Sequence, residues 1–159
     1  MDFAAGVDLL RQMDLTAGLS EPELTQLAQI ARHEDIQAAT VLFREGQNQS
    51  HIYWVIDGSI TLETTGERLK PLLLLTVGPG EVLAWSAVVG NSRMTATATT
   101  ITDCRLIGFP AEELRVLCDQ NHELGYRVMH SIAENLSRRL HATRQQLIGS
   151  FRDSSIPPA

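Results

Sequence analysis

Two short segments carry the groups with the most chemistry to offer. Gly80-Glu81-Val82-Leu83-Ala84-Trp85-Ser86 and Ser92-Arg93-Met94-Thr95-Ala96 place a carboxylate, a guanidinium, hydroxyls and turn-capable backbone N–H groups between β-like runs. Gly78 and Gly80 let the chain turn, so the N–H groups that follow, those of Val82 and Leu83 among them, can form a concave nest for phosphate oxygens without a metal. Arg93 adds a permanently charged fork suited to phosphate. Glu81 cannot serve an anion. It either accepts a hydrogen bond from a sugar hydroxyl or holds the arginine in place. Taken alone, the same residues also fit a plain surface turn, with Glu81 capping nearby amides and Arg93 in solvent.

Other chemistries find little support. His33, His51, His122, His130 and His141 are scattered with no HExxH or comparable metal spacing, and the G-x-S-x-G turn of a serine nucleophile is missing. Cys104 and Cys118 form no CxxC pair and fit small core fillers rather than a disulfide. A non-enzymatic protein without a catalytic or metal site is expected. The formal charge of -6, from 13 basic and 19 acidic residues, argues against a broad nucleic-acid-binding face. No apolar run is long enough to cross a bilayer; Pro71-Leu72-Leu73-Leu74-Leu75 fits a buried strand instead. The start MDFAAGVDLL carries two acids and no base, unlike a secretory signal, so a cytoplasmic location is expected.

The elements that must position the two segments follow from local patterns. A length of 159 residues with 43% hydrophobic content suits one globular domain, expected over residues 1–149. Val7 to Arg11 can form a short helix, and Ser20-Glu21-Pro22-Glu23 is a helix start with Ser20 as cap. Short β-like runs then fill about 36–109: Val41–Phe43, Ile52–Ile56, Ser59–Glu63, Leu72–Val77, Thr95–Thr100 and Cys104–Phe109. Asp57-Gly58 between two of them predicts a hairpin. Strands separated by turns, without crossover helices, predict a mainly β fold with flanking helices: an antiparallel jelly roll (double-stranded β-helix) filled by Ile52, Trp54, Ile56, Ile60 and Leu62. Pro110-Ala111-Glu112-Glu113-Leu114 begins a short helix. A long helix follows over about 121–148, with Leu124, Val128, Ile132, Leu136, Leu140 and Leu147 largely on one face. It exceeds what one small domain needs for its own cover, which predicts a homodimer through this helix. Residues 150–159, with Pro157-Pro158, are expected to be a frayed tail.

Together and in order, several of these fragments resemble the cyclic nucleotide-binding domain family, the effector domain of bacterial catabolite-activator-type regulators, kinase regulatory subunits and gated channels. They are Phe43-Arg44-Glu45-Gly46, Tyr53-Trp54-Val55-Ile56-Asp57-Gly58-Ser59-Ile60, Gly78-Pro79-Gly80-Glu81, Thr95-Ala96 and Asp103-Cys104-Arg105-Leu106. The resemblance spans about Ser20 to Gly149. It implies cyclic AMP or cyclic GMP as ligand and no other cofactor, with Glu81 on the ribose 2′-hydroxyl and Thr95 and Ala96 on the cyclic phosphate. It also implies a base contact from Thr143 of the long helix across a dimer, while Arg138 and Arg139 are expected as surface or helix-end charges. The family pattern has arginine directly before the Ser/Thr-Ala pair; here that place is Met94, and Arg93 stands one residue earlier. One step along an extended strand reverses the side-chain direction, so Arg93 reaches the phosphate only if the chain bulges at Gly90-Asn91-Ser92. Trp85 is bulky where the segment should wrap a small ligand. No helix-turn-helix module follows the long helix, so the implied function is a sensor that signals to a partner protein without touching DNA; the alternative is a degenerate fold serving as a structural or interaction module.

Overall fold

Element boundaries follow local chemistry. The Glu23 carboxylate accepts both the Ser20 N–H at 2.7 Å and the Ser20 hydroxyl at 2.9 Å, starting α2 (Glu21–Ile30) where the sequence predicts. The structure, a computed structural model, describes residues 3–65 and 70–154. α1 (Phe3–Arg11) precedes α2, and eight strands follow: β1 (Arg32–Ile36), β2 (Val41–Phe43), β3 (His51–Asp57), β4 (Ile60–Thr64), β5 (Leu72–Val77), β6 (Val82–Leu83), β7 (Thr97–Thr100) and β8 (Cys104–Pro110). α3 (Ser86–Val89) lies between β6 and β7, and α4 (Ala111–Gln120) and α5 (His122–Ser154) close the order. The strands form two four-stranded antiparallel sheets, ordered β1-β8-β3-β6 and β2-β7-β4-β5.

One apolar cluster lies between the first sheet and the helices, and a second lies between the sheets. Ile52, Trp54 and Ile56 belong to the first, so they face the helices and do not fill the space between the sheets, where Val55, Ile60 and Leu62 sit with Tyr53 at the margin. A strand covered on both faces is apolar on both, and alternation then does not say which face is which.

The Asp57-Gly58 expectation is corrected too. Gly58 has the positive φ of +98° the turn requires, but β3 and β4 belong to different sheets and form no hairpin. Gly58 instead turns a corner against the β7–β8 connection, where an added Cβ would lie 2.6 Å from the Asp103 carbonyl oxygen and 2.8 Å from the Cys104 Cα. Leu72, Leu73 and Leu74, expected to be buried, are exposed because β5 is an edge strand. β1 begins at Arg32, ahead of the expected strand region, and α4 runs on to Gln120. α5 continues to Ser154, through the first half of the expected tail; Pro157 and Pro158 lie outside the described residues. Both cysteines are free thiols. Among the described residues, no helix is long and apolar enough to cross a membrane.

Candidate functional site

The segment from Gly78 onward is built onto β3. Gly80, at φ +82°, donates its N–H to the Val55 carbonyl at 2.8 Å, and the Val55 N–H donates to the Glu81 carbonyl at 3.0 Å. The Glu81 side chain turns back and accepts the Gly78 N–H at 2.8 Å, so its carboxylate braces the glycine turn. β6 then pairs with β3, Val82 opposite Trp54 and Leu83 opposite Tyr53, with both Val82 and Leu83 fully buried. Ala84 at φ +57° and Ser92 at φ +63° bracket α3, each left-handed residue costing about 1–2 kcal/mol. Strain of this kind persists only where the surroundings over-determine the backbone, and it clusters at ligand clamps.

α5 supplies the other wall. Asn135, 2% exposed, accepts the Val82 N–H at 3.0 Å through Oδ1 and donates through Nδ2 to the Ser131 carbonyl at 3.0 Å. One turn on, Arg139 donates from Nη2 to the Val82 carbonyl. Both backbone groups of a single residue of β6 are therefore held by side chains of α5. Arg139 is not the surface charge expected from sequence: it is half-buried, and its Nε is buried without a hydrogen-bond partner. Burial is the largest influence on its guanidinium and lowers the pKa, opposed by the Glu81 carboxylate and reinforced by Arg138. Arg138 is exposed, as expected. The signal for this pair was present as helical spacing. Ser131, Asn135 and Arg139 recur at i, i+4 beside the apolar stripe of Leu124, Val128 and Ile132, which places them on or next to the packed face.

Between these walls lies a cavity of about 40 Å³, bordered by Trp85, Ser86, Met94, Thr95, Ala96 and Arg139 with Ala84, Phe43 and Leu62. Met94 is 3% exposed and points inward, whereas Arg93 is exposed. The 44–49 loop fixes that register: the Gly46 N–H donates to the Met94 carbonyl at 2.7 Å, the Met94 N–H to the Gln47 carbonyl at 2.8 Å, and the Gln49 N–H to the Ser92 carbonyl at 2.8 Å. The positive φ at Ser92 does bend the chain, but it does not turn Arg93 inward. Thr95 and Ala96 precede β7 instead of starting it; Thr95 is exposed and Ala96 buried. Thr143 is exposed on α5 and donates its hydroxyl to the Arg139 carbonyl at 2.8 Å. A second, open cleft of about 470 Å³ runs along the far side of the glycine turn, between β5 and α5, with Glu81, Arg138 and Arg139 on its wall. Arg139 borders both spaces. Among the described residues, no group of three or more histidine, cysteine, aspartate or glutamate side chains could hold a metal ion.

Comparison with known proteins gives concordant likenesses. The family model described as cyclic nucleotide-binding domain matches residues 33–121. The CRP-like cAMP-activated global transcriptional regulator of Mycobacterium tuberculosis (strain CDC 1551 / Oshkosh) is 21% identical over 131 residues, which cover 82% of this chain and 58% of that protein. The chain thus spans a little over half the length of that relative. Among solved structures, a cyclic nucleotide-binding domain from Methylobacillus flagellatus KT superposes with a TM-score of 0.78 at 14% identity, over 93% of this chain and 83% of that one. The N-terminal domain of a transcriptional regulator from Streptomyces coelicolor A3(2) does so with a TM-score of 0.65 at 24% identity, over 82% of this chain and 94% of that one. At these identities the structural likenesses establish the fold.

Proposed function

Because the chain belongs to the cyclic nucleotide-binding domain family, we propose that it is a non-enzymatic regulatory sensor domain. It takes a cyclic nucleotide, cyclic AMP or cyclic GMP, between the 78–96 segment and α5 and passes the resulting change in α5 to a partner protein. The strand orders β1-β8-β3-β6 and β2-β7-β4-β5 support the two Greek keys of a jelly roll around that site. One observation carries the reading: Asn135 and Arg139 hold both backbone groups of Val82, so the position of α5 depends on the segment that closes around a ligand. A ligand that binds one docking state of α5 more tightly shifts the population by that difference in affinity. In this reading Glu81 exchanges the Gly78 N–H for the ribose hydroxyl. Gly80, Val82 and Leu83 shape the backbone around the sugar, and Thr95 and Ala96 receive the phosphate.

The second half of α5 supports a homodimer. The helix has 33 residues, about 50 Å at ~1.5 Å per residue, and Leu140, Leu147, Ile148 and Phe151 are exposed beyond the part that packs on the sheet. In such a dimer Thr143 would meet the base of the nucleotide held by the partner subunit. Light scattering at tens of micromolar is expected to give a dimer mass for the native chain and a monomer mass for Leu147→Glu. A monomer mass for the native chain would remove the dimer.

A specific observation favours a second reading, a fold that serves as an interaction module without nucleotide. Met94 fills the place of a cassette arginine, and the remaining cavity of about 40 Å³ is far below the ~300 Å³ at which ligand pockets begin. Calorimetry with cyclic AMP and cyclic GMP up to high micromolar separates the two. Saturable heat with either nucleotide supports the sensor, and no heat with both supports the interaction module.

A further inference from the structure

We infer that Arg139, on α5, is the cation that recognises the anionic phosphodiester of the ligand, in place of any arginine of the 78–96 segment. The inference rests on the sensor reading above. Four guanidinium groups lie near the site, and that of Arg115 is taken up by the Ala87 and Val88 carbonyls of α3. Arg93 is exposed, and bringing it inward would break the pairing of Met94 with Gly46 and Gln47. Arg138 is exposed and lines the outer cleft and the space beside Ser131 and Asn135, but not the cavity bordered by Thr95 and Ala96. Arg139 is the one cation on the wall of the cavity among the described residues, facing Trp85, Ser86, Thr95 and Ala96 across it.

Its bonding leaves capacity for an anion. One guanidinium nitrogen is occupied by the Val82 carbonyl, while the Nε–H is buried and unpaired. A buried donor without an acceptor is costly, and a guanidinium in a dry site binds an oxyanion more strongly than one in water. Phosphodiester oxygens would satisfy Nε and could draw Nη2 from the Val82 carbonyl. Arg139 also divides the small cavity from the larger cleft along β5, so its displacement would join the two and give a nucleotide room. Recognition and output then share one residue: the anion competes with the Val82 carbonyl for the guanidinium that docks α5. Glu81 stands on the wall of the same cleft as Arg139, with its carboxylate held by the Gly78 N–H.

The test is calorimetric titration of the full chain with cyclic AMP and cyclic GMP, and with adenosine and guanosine as probes that lack the phosphate. Arg139→Gln is expected to weaken the preferred cyclic nucleotide by about tenfold or more, because a charge-assisted, bidentate contact is lost. It should leave the matching nucleoside nearly unchanged. Arg139→Lys should fall between, and Arg93→Gln should have little effect. Asn135→Ala loosens the same docking of α5 without removing the cation; if it weakens the cyclic nucleotide as much as Arg139→Gln does, docking explains the effect and the inference fails. It fails also if Arg93→Gln causes the larger loss. Should Arg139→Gln not fold, Arg139→Lys decides, since an ammonium cannot bind bidentately, and unchanged affinity would overturn the assignment. Absence of binding by the native chain is a different result, which removes the sensor reading itself.

Discussion

Met94→Arg is expected to raise the affinity for a cyclic nucleotide by about tenfold to a hundredfold and to lower the thermal midpoint of the free protein. The side chain at this position points into the cavity and is 3% exposed, and backbone bonds to Gly46 and Gln47 hold it there. An arginine in that place would sit beside the positions proposed for the phosphate, Thr95 and Ala96, and one charged hydrogen bond contributes about 1.5–3 kcal/mol. Without ligand the same group is an unpaired cation among Phe43, Leu62 and Ala96, close to Arg139, and that is destabilising. Binding supplies the missing counter-charge, so the nucleotide should raise the midpoint of the variant more than that of the native chain. Calorimetry for affinity and thermal unfolding with and without nucleotide check both halves. A variant as stable as the native chain and no tighter in binding would place position 94 outside the ligand's reach.

Trp54→Ala is expected to destabilise the fold by about 3–5 kcal/mol, a large share of the ~5–15 kcal/mol that holds a typical domain together. Trp54 is 1% exposed, meets Phe109 edge-on with ring centroids 5.7 Å apart, and donates its indole N–H to the Ser131 hydroxyl of α5 at 3.3 Å. It joins the sheet that carries β6 to the helix that carries Asn135 and Arg139, so its loss would loosen the site along with the core. Trp54→Phe keeps an aromatic ring and gives up the indole bond and some volume, and a smaller loss is expected. Urea unfolding followed by circular dichroism measures both. A cost under about 1 kcal/mol for Trp54→Ala would mean that the space between β3 and α5 collapses around the missing ring.

Much of the fold was legible because its signals are local. The Ser20–Glu23 cap, the glycine turn before Glu81 and the apolar stripe of α5 each depend on residues within a few positions of one another. The two-residue period of an extended chain sets Arg93 and Met94 on opposite faces, but the sequence leaves open whether a bulge brings Arg93 back to the site. The structure keeps Met94 inside and Arg93 exposed. Glu81 also shows the amide-capping role that the sequence allows for a plain turn, bracing the Gly78 N–H of its own turn. The failures have a different character. Asp57-Gly58 turns the chain as its residue types require, but whether a turn makes a hairpin or a corner depends on where the next strand finds a partner. The leucines of β5 are apolar enough for a core, and only its place at the sheet edge leaves them exposed.

By itself, then, the sequence determined most of the elements, their order and the family, because these rest on backbone chemistry and short-range period, while β1, β6 and α3 were not legible in it. The tertiary structure decided which face of β3 meets the helices and how small the cavity is. It also decided that Arg139, and not Arg93, stands at the cavity wall. Helical spacing puts Arg139 next to the packed face of α5, but a long side chain at such a position can also lie along that face with its charged head in water. It is buried here because α5 lands against β6 with the Val82 carbonyl in reach, a contact 57 residues apart along the chain.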